Sequence, residues 1–151
     1  MTFLGRLDDQ HHVNRITAAV VGVLLALFGL AGIKVGLGHP FADPQGGNSL
    51  GQFGVNLLSA VVHLLLAAAL LAAAAAGTPR ARLVNRLVGG ACLLLAVYGL
   101  AAGPSSADLL AADQHTNDLH LLLALVLIVV GVVADRAPTS GHGPKYRTVR
   151  Y

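Results

Sequence analysis

Few side chains in this chain could do chemistry, and the most telling ones lie inside apolar runs. Asn56, Ser59 and His63 follow helical spacing in the run NLLSAVVHLLLAAALLAAAAA, so they share a face, with Ala60 as the other residue at the middle position. Asn117 and His120 are three apart at the start of another apolar run and share a face there, with His115 just before them. Polar side chains in lipid turn inward and find partners. The two faces are therefore expected to meet, and Asn56, level with Asn117 and His120, is expected to bond them directly. His63 would reach that cluster through Ser59 or water, or bond a neighbouring helix.

Four chemistries suit such residues. The leading one is a latch, in which Asn and His hydrogen bonds pin two helices. Each bond is worth about 0.6 kcal/mol on average in a membrane protein, and an unmatched polar group costs more. The second is a haem with His63 and His120 as axial ligands. Both rings must then stand at one level, and counting from the ends of the apolar runs sets His63 about 8–10 Å deeper. The third is a metal or proton site built from His63, His115 and His120, although no carboxylate lies within a span to complete a catalytic zinc set. The fourth is a quinone or lipid accepting hydrogen bonds from the same groups. No catalytic set is recognisable, and under the leading reading no cofactor and no enzymatic activity are expected.

The elements that must position these residues are membrane helices. Hydrophobic residues make up 55% of the 151 and charged ones 11%, against about 25% charged in soluble domains. With a mean hydropathy of +0.69 and long uncharged runs, the composition is that of an integral membrane protein. The expected fold is all-α, an integral membrane four-helix bundle with spans at about 16–35, 53–76, 84–103 and 117–135. Residues 1–15 are a cytoplasmic lead-in and 136–151 a disordered basic cytoplasmic tail. The first apolar run exceeds the core of about 7–15 residues that a cleaved signal peptide has. Gly22, Gly29, Gly32 and Gly36 suit close helix packing in lipid. The run ADLLAADQ, capped by Ser105 or Ser106, is expected to form a short interfacial helix. Cys92, the only cysteine, precludes an intrachain disulfide and any CxxC motif.

The basic residues flank apolar runs and form no soluble patch, which excludes nucleic acid as a partner. Arg80, Arg82, Arg86, Arg136, Lys145, Arg147 and Arg150 are expected at lipid headgroups. Nine of the ten Lys and Arg residues fall in the N-terminal segment, the middle loop and the tail. The positive-inside rule then places both termini in the cytoplasm and the chain in the cytoplasmic membrane. Membrane lipids, a second copy or a membrane-complex partner are the expected partners. A small transporter is a third alternative, weakened by the lack of an in-span carboxylate or an obvious internal repeat.

At the Asn and His positions the chain resembles an actinobacterial family of small four-helix membrane proteins, domain of unknown function 4383 (DUF4383). Val55, Asn56, Val62, His63 and Leu64 match its pattern in the second helix, where Ser59 and Ala60 stand in place of His-Asn. Asn117, Leu119, His120 and Leu121 match in the fourth, where Thr116 replaces an acid, and Gly131 fits a later glycine. The resemblance implies a four-helix membrane fold and no known activity. The two departures remove potential metal ligands.

Overall fold

A computed structural model describes residues 12–49 and 51–135. Four helices dominate: α1 (Val13–Gly36), α2 (Leu57–Ala76), α3 (Thr78–Ala102) and α4 (Gln114–Val133). All four are long and apolar enough to cross a membrane, so the fold is an all-α membrane bundle. The lead-in up to residue 11 and the expected tail, with Arg136, Lys145, Arg147 and Arg150, lie outside the described residues.

The bundle is built from two helical hairpins. Along α1, a Cβ placed on Gly29 would stand 3.0 Å from the Ala60 carbonyl oxygen of α2, so the two backbones approach as only glycine permits. In the second hairpin Gly99 of α3 takes the Asn117 side chain of α4 directly against its Cα. The core between the hairpins is lined by Leu25, Leu70, Cys92 and Leu127, all buried. Large aliphatics such as Leu65 and Leu94 face outward and are 66% and 71% exposed, as a lipid-facing surface requires.

The helices begin earlier, or later, than hydropathy alone suggests, and local chemistry explains each shift. Only Gly77 separates the end of α2 from the start of α3 at Thr78, because Gly77 adopts φ 110° and Pro79 occupies the first turn of α3. Arg80, Arg82 and Arg86 therefore sit on a helix and not in a loop. Asp113 caps α4 by accepting a 2.8 Å bond from the Thr116 N–H, which starts that helix at Gln114 instead of residue 117. Asn56 is the N-cap of α2, in a reciprocal box with Ser59. Residues 53–55, expected to be helical, instead form a strand. β1 (Gly47–Ser49) and β2 (Phe53–Val55) pair antiparallel, with Asn48 opposite Gly54. The expected interfacial helix over ADLLAADQ is absent: residues 103–113 run as turns, stapled by the Tyr98 hydroxyl. That hydroxyl donates to Ala107 O and accepts from Leu109 N.

The first turn of α1 is capped by another helix's flank. Asp135, just past α4 with φ 55°, accepts from the backbone N–H groups of Val13 at 3.3 Å and Asn14 at 2.8 Å. A carboxylate there matches the positive end of the helix dipole and ties the start of α1 to the end of α4.

Candidate polar site between the hairpins

His63 and His120 meet. Their Nε2 atoms are 3.0 Å apart, and the rings stack with centroids 5.2 Å apart at 13°. Each is the seventh residue of its helix, so both stand at the same depth, about 9 Å below the helix starts. The depth mismatch expected from sequence is overturned, because α2 begins after the β-hairpin and α4 begins before Asn117. Both rings are buried, and Phe28 of α1 covers His63 edge-on at 4.9 Å.

The bonding pattern assigns the protons. His63 Nδ1 lies 2.6 Å from Ser59 O, which can only accept, so Nδ1 carries the hydrogen. In the neutral ring Nε2 is then an acceptor, and His120 Nε2 must donate to it. That leaves the lone pair on His120 Nδ1, which is buried without a protein partner. A small cavity of about 10 Å³ lies beside the pair, bordered by Ser59, Thr116 and both histidines, close to the room one water needs. With the rings in direct contact, the arrangement leaves no space for a porphyrin between them.

The other expected members go elsewhere. Asn56 does not reach Asn117 or His120. Its Nδ2 donates to Asp43 O at 3.1 Å and Leu109 O at 2.8 Å, tying α2 to both loops at the β-hairpin end. Ser59 links Asn56 to His63 through its backbone: its N–H bonds Asn56 Oδ1 and its carbonyl bonds His63. Asn117 donates weakly to Ala112 O at 3.3 Å, while its Oδ1 lies over Gly99 unpartnered. His115 is exposed and faces Phe53 edge-on at 6.4 Å, away from the histidine pair, so the three-histidine set is not assembled. Among the described residues no group of three or more His, Cys, Asp or Glu could hold a metal.

A second polar pair closes the opposite end and was not anticipated from sequence. Asn85 of α3 donates from Nδ2 to both the Oδ1 of Asn14, at 3.0 Å, and its backbone carbonyl, at 3.1 Å. Both residues are fully buried. The signal that could have found them is a repeat, Val13-Asn14-Arg15-Ile16 and Val84-Asn85-Arg86-Leu87. The arginines confirm that these segments are equivalent in space. Arg15 Nε donates to Ala74 O near the end of α2, and Arg86 Nε donates to Gly131 O near the end of α4. Asn56-x-x-Ser59-x-x-x-His63 and Asp113-x-x-Thr116-x-x-x-His120 correspond in the same way. The two hairpins are thus a degenerate repeat, and corresponding residues touch at both ends: His63 with His120, Asn14 with Asn85.

The arginines expected at headgroups are engaged with helix ends. Arg82 bonds Gly131 O at 3.1 Å and Val132 O at 3.3 Å, joining Arg86 on the last carbonyls of α4. Among the described residues Arg80 makes only an exposed 3.5 Å contact, to Ala76 O.

No curated protein and no solved structure matches the chain. A family model does, over residues 15–133, which takes in nearly all of the four helices and both faces of the histidine pair. With most of its length matched, the chain belongs to the family described as a domain of unknown function, DUF4383.

Proposed function

We propose that this is a non-enzymatic, multi-pass component of the cytoplasmic membrane in which buried Asn and His side chains lock two helical hairpins together. The direct His63–His120 contact carries this reading. Three of the four ring nitrogens are bonded within the protein, and the space beside them is only about 10 Å³. A rigid paired scaffold suits a structural or interaction role, with lipids and a second copy or membrane partner around it. The test is a thermal melt of His63→Leu in detergent or nanodiscs, beside a cellular assay. A clear loss of stability is expected. Unchanged stability with loss of a cellular phenotype or of a bound cofactor would displace the latch.

Topology belongs to the same reading. Arg15, Arg80, Arg82 and Arg86 cluster at one end of the bundle, while Asp43, Asp108, Asp113 and Asp118 lie at the other. That bias supports a cytoplasmic location for both termini. A reporter fused after Tyr151 should be active only in the cytoplasm, and activity only outside it would reverse the orientation.

A second reading, a site handling a proton or a small hydrogen-bonding ligand, is favoured by one observation: the bare His120 Nδ1 beside a water-sized cavity. It predicts that His120→Asn, which retains a donor and an acceptor, preserves stability yet abolishes proton flux in proteoliposomes. Absence of any flux in the unsubstituted protein rejects it.

A further inference from the structure

We propose that the crevice between α1 and α2 at the arginine end is a binding site for one anionic phospholipid. The crevice has a volume of about 570 Å³. Its rim carries His12 and Arg15, and its walls are Ile16, Ala19, Leu71, Ala74 and Ala75. The polar groups sit at the helix termini and the apolar wall runs one turn deeper, from Arg15 to Ala19 on α1 and from Ala75 back to Leu71 on α2. That gradient matches a lipid, with its phosphate at the rim and its acyl chain along the wall.

The sequence explains why the space exists. The end of α2 is almost pure alanine, so no side chain fills the groove beside α1. Arg15 is held across the mouth by the 3.0 Å bond from its Nε to Ala74 O. Its two terminal nitrogens make no hydrogen bond to any described residue. A guanidinium fixed by one nitrogen and open at two others presents a fork suited to a phosphate diester. Basic pockets between membrane helices on the cytoplasmic side favour anionic headgroups.

The corresponding place in the second hairpin is occupied by arginine side chains. Gly131 stands where Ala74 stands in the first, and the Arg86 side chain packs directly on it, with Arg82 on the same carbonyl. Arg86 is therefore the natural control for Arg15.

The experiment is native mass spectrometry of the full chain purified in detergent with equal phosphatidylglycerol and phosphatidylcholine. One phosphatidylglycerol should be retained per chain in preference to phosphatidylcholine. Arg15→Gln, which keeps a donor for Ala74 O but removes the charge, should lower retention about fivefold, and Arg86→Gln should leave it unchanged. Ala75→Leu, at an exposed wall position, should displace the acyl chain and lower retention as well. It decides the matter if Arg15→Gln fails to fold. Equal retention in the unsubstituted chain and the folded variants overturns the site, as does an equal loss with Arg86→Gln. Competition by millimolar inorganic phosphate would assign the rim to free phosphate instead of lipid. A dimer abolished by Ala75→Leu, with lipid retention untouched, would assign the crevice to a second copy.

Discussion

The first hairpin, α1–α2, and the second, α3–α4, carry the same devices in different states of completion. Each has a capping residue, a hydroxyl three positions on, and a histidine four further along: Asn56, Ser59 and His63 in one, Asp113, Thr116 and His120 in the other. Each has an arginine that reaches from the first turns of its leading helix to a carbonyl near the end of its partner. In the first hairpin His63 has both nitrogens bonded and Arg15 borders an open crevice. In the second, His120 keeps one bare nitrogen and Arg86 is packed down on a glycine. The comparison separates frame from content. The shared contacts hold helices together, and the unshared ones mark where each half has room for something else.

Three substitution pairs sharpen that comparison, taken from the largest effect to the smallest. Gly99→Ala drives a methyl into the Asn117 amide, while Gly29→Ala makes the lesser overlap, with Leu64 at 2.8 Å and the Ala60 carbonyl oxygen at 3.0 Å. The first should cost about 2–3 kcal/mol and the second about 1 kcal/mol, within the usual range for overpacking. Thermal melts of the two variants check this, and equal costs would mean that the hairpins pack alike. Asn56→Ala removes a cap and two loop ties, so about 1–2 kcal/mol should go, with faster hydrogen exchange in both loops at the β-hairpin end. Asp113→Ala removes the side-chain cap and should cost about 1 kcal/mol, with exchange changes confined to α4. Arg15→Ala leaves Ala74 O without its donor and should cost about 1 kcal/mol. Arg86→Ala should cost less than about 0.5 kcal/mol, because Arg82 still donates to Gly131 O. The reverse order would show that the two arginines do not play matching parts.

The number of spans was legible in sequence, because an uncharged apolar run long enough to cross a bilayer is rare outside membrane helices. The four-helix family was legible in two short motifs around Asn56–His63 and Asn117–His120. The depth of the histidines was not, and the reason is local. Hydropathy cannot see that Asp113 and Thr116 start α4 three residues before Asn117, which buries His120 about 4.5 Å deeper. Nor does it see that residues 53–55 pair as a strand, which raises His63 by about 6 Å relative to a helix begun at Phe53. The two shifts together cancel the mismatch that spoke against a direct contact. Asn14 and Asn85 are hard to single out because each stands beside an arginine at the edge of an apolar run, where polar residues normally face water. Only the repeat of Val-Asn-Arg in both odd-numbered helices distinguishes them.

The central claim is that His63 and His120 are one interaction, and a double-mutant cycle on the full chain tests it most directly. His63→Leu and His120→Leu each strand a buried partner and should each cost about 1–3 kcal/mol. The double substitution should cost less than the sum by at least about 0.5 kcal/mol, since both polar rings disappear together. The control cycle of Asn56→Leu with His120→Leu should be additive, because Asn56 bonds the loops and not the ring. Additive costs for the histidines, or coupling in the control instead, would contradict the account.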